Sequence, residues 1–144
     1  MQRLSSQAQT IVRLAEEIAR ESGQEYVGTE HVLLAIVREG TGLGAKLLAR
    51  RNVTPERLKV EVDKLIESSL EETWVFGRLP GSPHYRNVVA KAIEQAQQLE
   101  AREVCSEHLV LALLKEKDCV ACNALANLGV RYTDVRQDLL EHAA

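Results

Sequence analysis

An internal repeat constrains this chain more than any other feature. Glu30-His31 and the apolar run after it recur 77 positions later as Glu107-His108 and a second apolar run. Further identities hold at that offset without a gap: Val12 with Val89, Ala15 with Ala92, Glu17 with Glu94, Glu39 with Glu116, and Val53 with Val130. A register kept this long indicates two copies of one supersecondary unit. We expect repeats at 1–66 and 85–144, joined by a linker at 67–84.

Each copy predicts four helices. In the first copy, helical spacing is shown by Ile11, Leu14, Ala15, Ile18 and Ser22, and Gly23 is placed to end that helix. The second helix follows Thr29, its expected N-cap. Its segment 32–37 is apolar on every side, which is typical of a helix buried all round. A short third helix follows Gly40 and Gly42, and Thr54-Pro55 opens a fourth.

The second copy repeats this plan. Ser82-Pro83 opens its first helix, Ser106 caps its second and Gly129 closes its third. The sequence therefore predicts an all-α protein, in which two tandem four-helix repeats, related by a pseudo-twofold axis, pack as one eight-helix domain. An aromatic content of 3%, with 8 Gly and 3 Pro, disfavours a many-stranded sandwich.

The linker carries apolar side chains: Trp74, Phe76, Leu79 and Pro80. We expect them to pack across the seam between the repeats, because monomers rarely expose such groups together. An exposed patch that a partner covers is the alternative.

Charge and hydropathy exclude several classes of protein. Lys and Arg number 18 against 21 Asp and Glu, a net charge of −3, whereas nucleic-acid binding needs a basic face. Tandem helices leave a helical DNA reader as a minor alternative, but its one basic cluster, Arg50-Arg51 with Arg57, is more typical of a solvated face. No run is long enough to span a bilayer and no signal peptide opens the chain. The expectation is a cytoplasmic protein with no nucleic-acid or membrane partner.

Three cysteines, Cys105, Cys119 and Cys122, are too few for a disulfide framework. The Cys119-x-x-Cys122 pair has no second pair to complete a structural zinc site. A redox pair is conceivable at a helix N-terminus. Small side chains filling a helix interface are the favoured interpretation.

The repeated block closely resembles the Clp N-terminal repeat, which heads the Clp AAA+ unfoldases of the ClpC and ClpA type as two tandem copies. The resemblance rests on Gly28-Thr29-Glu30-His31, the apolar run, Arg38-Glu39-Gly40 and 45–48. It covers essentially the whole chain, and 79–83 is similar to the family's stretch leading into the second copy. The second copy departs from the pattern, with Cys105-Ser106 in place of Gly-Thr.

The resemblance implies a non-catalytic domain that recognises protein substrates and adaptors and passes them to an ATPase ring, which feeds a peptidase. It also implies that Glu30 and Glu107 hold the guanidinium of phosphoarginine tags. A carboxylate accepts paired, charge-assisted hydrogen bonds from such a group. Helix N-termini supply donors for the phosphate, and the hydroxyls of Ser5 and Ser82 are the candidates at that end. Thr29 and Ser106 stand beside the two glutamates.

Structural interpretations of the same residues remain open. The helix macrodipole alone favours a first-turn glutamate, and Thr29 and Ser106 are explained by capping. His31 and His108 lack a metal-spaced partner, so we expect core histidines with a satisfied ring nitrogen. No Gly-x-x-x-x-Gly-Lys-Ser/Thr loop occurs, so we expect no ATP site, no other cofactor and no metal.

Two alternatives accompany the recognition module. One is a stand-alone accessory protein that docks on the Clp peptidase or ATPase, and the sequence leaves open whether the chain is such a protein or the front of a longer unfoldase. The other is an enzyme using a Cys105–His108 thiol–imidazole pair. The first copy has Gly28 in place of Cys105, so that pair is not part of the repeated design.

Overall fold

The computed structural model describes residues 3–24, 27–68, 83–117 and 119–142. Within those ranges the elements are β1 (Arg3–Leu4), α1 (Ser6–Glu21), α2 (Thr29–Glu39), α3 (Leu43–Arg50), α4 (Pro55–Ser68), α5 (Pro83–Gln98), β2 (Glu103–Val104), α6 (Ser106–Lys115), α7 (Val120–Asn127) and α8 (Tyr132–His142). The predicted all-α class is confirmed. The strands add one short parallel pair, with Arg3 opposite Glu103 and Leu4 opposite Val104. No helix in these ranges is long and apolar enough to cross a membrane.

The two repeats are visible in the helix bounds. The helices α1 and α5 have 16 residues each, and α3 and α7 have 8 each. In both pairs the start and the end differ by the 77-residue offset read from the sequence. The equal lengths confirm that the two copies adopt the same four-helix plan.

Most of the predicted helix ends are confirmed. Gly23 and Gly129 have φ of 71° and 80° after α1 and α7, a conformation that glycine adopts without strain. The hydroxyl of Thr54 accepts the N–H of Arg57 at 3.2 Å, as an N-cap does. Ser22, assigned to the apolar face of α1, is exposed instead. Ser82 and the linker side chains from Trp74 to Pro80 lie outside the described residues.

The central helices are α2 and α6, as their apolar sequences predict. Seven residues of α2 and seven of α6 are buried, and the apolar ones among them belong to one hydrophobic cluster that includes side chains from both repeats. A helix without a polar face has to be covered on all sides. The cover comes from both copies, since α3 packs on α6 and α7 packs on α2.

Thr29 and Ser106 are not the N-caps of their own helices, so that prediction is wrong. The N-caps are Gly28 and Cys105, and the two hydroxyl residues are the first residues inside α2 and α6. Their side chains are buried, and each accepts a hydrogen bond from the opposite repeat. Capping preferences consider a single helix, whereas each of these hydroxyls accepts a hydrogen bond from a helix of the other repeat.

The two hydroxyls make a reciprocal exchange between the repeats. Thr29 Oγ1 accepts the N–H of Ala121 at 3.2 Å, and Ser106 Oγ accepts the N–H of Gly44 at 2.9 Å. Both donors are the second residue of a third helix, where backbone N–H groups lack an intrahelical partner. Gly44 permits this approach, because a Cβ there would lie 2.8 Å from the Ser106 backbone. Each central helix thus caps the third helix of the other copy.

A second pair of contacts crosses between the repeats. Arg51, just after α3, donates to Asp138 of α8 at 2.8 Å. Asn127, at the end of α7, donates to Glu61 of α4 at 2.8 Å. Glu61 and Asp138 are equivalent positions, so each third helix is tied at its end to the fourth helix of the other repeat.

Ser106→Ala should lower the free energy of unfolding by about 1–3 kcal/mol, because the buried Gly44 N–H loses its acceptor. Thr29→Val, which keeps the side-chain shape, should act on Ala121 in the same direction. The measurement is urea unfolding followed by circular dichroism. Thr10→Ala is the control, since its exposed hydroxyl bonds only within α1. Equal stability of the control and both variants would contradict the reciprocal exchange.

Candidate functional site

The two glutamates of the repeated motif line two cavities at equivalent places. The first pocket, of about 530 Å³, lies between the end of α1, the start of α2 and α4, and its walls include Glu30 and His31. The second pocket, of about 330 Å³, lies between the end of α5, the start of α6 and α8, and its walls include Glu107 and His108. The sequence repeat therefore builds a cavity beside each Glu-His pair.

Glu30 is buried at the first pocket, with 4% of its surface exposed. Its carboxylate folds back over Gly28, where an added Cβ would meet Glu30 Oε1 at 1.8 Å. Gly28 has an ordinary extended backbone, so its value here is the missing side chain rather than its flexibility. The glycine makes room for a buried carboxyl group.

Burial raises the pKa of Glu30 from 4.5 to about 7, and the Glu30 backbone N–H and the nearby His84 only partly oppose this. Burial also lowers the pKa of His31 to about 4. The contact of 3.5 Å between Glu30 Oε1 and His31 Nδ1 is therefore no ion pair at neutral pH. His31 Nδ1 accepts the Gly28 N–H at 2.8 Å, so it has no proton to offer the carboxylate.

The second pocket differs because Cys105 stands where the first repeat has Gly28. A side chain at this position fills the space that the Glu30 carboxylate uses in the first repeat. Glu107 is accordingly only half-buried, whereas Glu30 is buried. The difference between Gly28 and Cys105 thus accounts for a buried glutamate in the first repeat and a half-buried one in the second.

The two motif histidines are core residues, as predicted. His31 and His108 are 2% and 3% exposed. Each ring accepts the N–H of its helix N-cap through Nδ1, from Gly28 at 2.8 Å and from Cys105 at 2.9 Å. Reaching back from the third helical position is the role that Glu or Gln plays in a capping box. Burial lowers the pKa of His108 as well.

Ser5 lies beside the motif of the other repeat. Its N–H donates to Val104 O at 2.9 Å, and its hydroxyl caps α1 by accepting the Ala8 N–H at 3.0 Å. The same hydroxyl lies near the Cys105 thiol, two residues before Glu107, and works to lower the pKa of that thiol. The charge of His84 in α5 acts in the converse sense on Glu30, whose pKa it works to lower. Each pocket is lined by residues of one repeat, and Ser5 and His84 add an influence from the other copy.

Glu116, to which the sequence pattern assigns no role, is 3% exposed. His84 Nδ1 lies 2.7 Å and Asn87 Nδ2 3.1 Å from its carboxylate, and Lys91 Nζ also bonds to it. Burial works to raise the pKa of Glu116, but these three donors outweigh it and the pKa is lowered. The sequence feature that could have pointed to Glu116 is the glutamate at the equivalent position of the first copy, Glu39. The cluster fixes the start of α5, and with it His84, against the end of α6.

The cysteines are placed for packing rather than for chemistry. The Cys105 thiol points to Glu103 O at 3.8 Å, while His108 Nδ1 is engaged by a backbone N–H. Burial, with Glu107 nearby, raises the pKa of Cys105, and burial raises that of Cys119. Cys119 caps α7 by accepting the Cys122 N–H at 3.3 Å. This geometry does not assemble the thiol–imidazole pair, and no metal-binding group of three His, Cys, Asp or Glu occurs in the described ranges.

The chain matches the Clp_N family, the Clp repeat (R) N-terminal domain, over residues 3–74 and again over 81–144. It belongs to that family. It is 37% identical over 139 residues to the ATP-dependent Clp protease ATP-binding subunit ClpA homolog of Cyanidium caldarium. It is 35% identical over 139 residues to chaperone protein ClpC1, chloroplastic, of Arabidopsis thaliana. Both matches cover 96% of this chain, which spans 16% and 15% of those relatives.

Solved structures show the same fold at lower identity. The N-terminal domain of the chaperone ClpD from Arabidopsis thaliana has a TM-score of 0.79 at 18% identity, and 98% of this chain and 94% of that one are covered. The Hsp104 N-terminal domain from Candida albicans has a TM-score of 0.76 at 18% identity, with 97% and 91% covered. The chain is thus a Clp N-terminal domain in sequence and in architecture.

Glu30→Gln should change how stability depends on pH. Between about pH 4.5 and 6.5 the unfolded chain holds a proton on His31, and the folded chain holds one on Glu30. Because the two states bind equal numbers of protons, the pair does not make the free energy of unfolding depend on pH in this range. The stability from protonated Glu30 is lost as pH rises through about 7. The advantage of Glu30→Gln over the parent should therefore grow from pH 4.5 to about 3 kcal/mol at pH 7. Urea unfolding at several pH values measures it.

Glu107→Gln is the matched control, because that side chain keeps contact with water. A second variant, Gly28→Ala, should push the Glu30 carboxylate outward, so its stability relative to the parent should rise with pH in the same way while Glu30 is kept. An unchanged pH profile in both Glu30→Gln and Gly28→Ala would show that the carboxyl group is not buried as described.

Proposed function

We propose that this chain is a non-catalytic protein-binding module of a Clp chaperone–protease system, which recognises substrates and adaptors for delivery to an unfoldase ring. The observation that carries the proposal is the pair of equivalent cavities, each with the glutamate of the repeated motif in its wall. Two sites of this kind on one domain suit segments of protein chains. The division into 1–66, 67–84 and 85–144 and the cytoplasmic location stay predictions.

In its specific form, the proposal is that Glu30 and Glu107 receive the guanidinium of a phosphoarginine tag. A guanidinium offers paired donors in a plane that a carboxylate accepts in bidentate fashion. At the phosphate end, Ser5 contributes a hydroxyl at a helix N-terminus beside the Glu107 motif. Ser82 is the equivalent residue by the repeat. Thr29 and Ser106 act indirectly, since their hydroxyls are used between the repeats.

The two sites should respond differently to pH. Glu30 has a pKa of about 7, so a cation at that site has to displace a proton. Between pH 8 and pH 6 the ionised fraction falls about tenfold, and binding at Glu30 should weaken by about the same factor. The measurement is isothermal titration calorimetry with phosphoarginine at the two pH values, on the parent and on Glu107→Gln. In Glu107→Gln the heat of binding comes from the Glu30 site alone.

Glu30→Gln and Glu107→Gln should each remove one site, and together they should abolish binding of phosphoarginine. Glu17→Gln is the control, because Glu17 also recurs in the second copy, as Glu94, and both are exposed. Binding that survives the double substitution, or that the control weakens equally, would contradict the assignment.

A stand-alone accessory role is the second candidate. Incubating the chain with a purified Clp ATPase ring and, separately, with the Clp peptidase distinguishes the two. Stable co-elution with either assembly in the absence of substrate supports docking. Elution of the chain alone from both counts against it.

A further inference from the structure

The two pockets occupy equivalent places but have diverged in the walls opposite the glutamates. Where the first pocket has Ser22 and Asp63, the second has Leu99 and Leu140. Leu140 is 46% exposed, which makes it one of two large hydrophobic residues exposed in the described ranges. A half-exposed leucine at the mouth of a cavity gains free energy when an apolar group covers it.

The second pocket also carries negative charge at its rim. Glu107 is half-buried there because Cys105 fills the space behind it, and Glu103 is exposed nearby. Arg102 is the one guanidinium in the lining, and burial lowers the pKa of His108, which favours its neutral form. Two carboxylates against one guanidinium leave a rim that attracts a cation.

The size of the pocket limits what it can hold. A cavity of about 330 Å³ lies at the small end of ligand sites. It suits one large side chain and part of its neighbour, whereas a helix or a folded element needs a longer groove. The occupant is thus a short extended segment of another protein.

We propose that the second pocket binds an unmodified peptide segment in which a bulky aliphatic or aromatic side chain lies next to an arginine or lysine. The apolar side chain packs on Leu99, Leu139 and Leu140, and the cation pairs with Glu107 and Glu103 at the rim. The inference rests on the protein-binding function proposed above and adds to it that the two repeats select different features of a substrate. The first pocket, with Ser22 and Asp63 at the corresponding positions, lacks the apolar part of this preference.

The test is fluorescence anisotropy with a labelled short peptide that has Leu-Arg at its centre. Leu140→Asp, which installs the residue type of the first repeat, should weaken binding about five- to tenfold. Val60→Asp is the matched control, since Val60 on α4 is 54% exposed and does not line either pocket. Both substitutions are at exposed sites, and circular dichroism checks that both variants fold. Equal affinity of Leu140→Asp and the parent would overturn the proposal, as would no binding of the peptide to the parent.

Changes in the peptide separate the two parts of the recognition. Replacing its leucine by serine should abolish the difference between the parent and Leu140→Asp. Replacing its arginine by glutamine should weaken binding two- to fivefold in the parent and by a smaller factor in Glu107→Gln, where Glu103 is the carboxylate left at the rim. An arginine effect of the same size in Glu107→Gln would remove Glu107 from the site.

Titration with free phosphoarginine keeps this proposal distinct from tag binding. If the Leu-Arg peptide binds and depends on Leu140 while phosphoarginine does not bind, the tag proposal fails and this one stands. If phosphoarginine binds and Leu140→Asp leaves peptide binding unchanged, the opposite holds.

Discussion

The fold depends on the burial of two helices that have no polar face. Seven residues of α2 and seven of α6 are buried, and a four-helix unit leaves such a helix uncovered on one side. The second copy provides the missing cover, because α3 packs on α6 and α7 packs on α2. Hydrophobic burial of this kind is the main favourable contribution to folding, and here it is available only when both copies are present.

The same packing sets the positions of the polar groups. The packing of α3 on α6 places the Gly44 nitrogen 2.9 Å from the Ser106 hydroxyl oxygen. The packing of α7 on α2 places the Ala121 nitrogen 3.2 Å from the Thr29 hydroxyl oxygen. Buried polar groups have to find partners, and these partners lie in the other repeat. The starts of α2 and α6, where the motif glutamates lie, are therefore held by contacts between the copies.

The sequence predicted the architecture because helical period and a fixed offset are properties of the chain itself. It also placed the two histidines in the core, since neither had partners at metal-ligand spacing. It misassigned Thr29 and Ser106, because capping preferences describe a single helix and say nothing about a donor 92 or 62 residues away. The exchange of Gly28 for Cys105 was visible in the alignment of the copies. Its effect, a buried Glu30 and a half-buried Glu107, depends on where a carboxylate finds room.

The short strand pair has a consequence for how this domain can be divided. Because β1 pairs with β2, Ser5 of the first copy lies at the motif of the second, and the charge of His84 in the second acts on Glu30 of the first. The walls of each pocket come from one repeat, while Ser5 and His84 act on the motif glutamate of the other copy or on its neighbours. Separating the two copies would therefore leave each pocket its walls but remove the hydroxyl or the charge that the other copy brings to it.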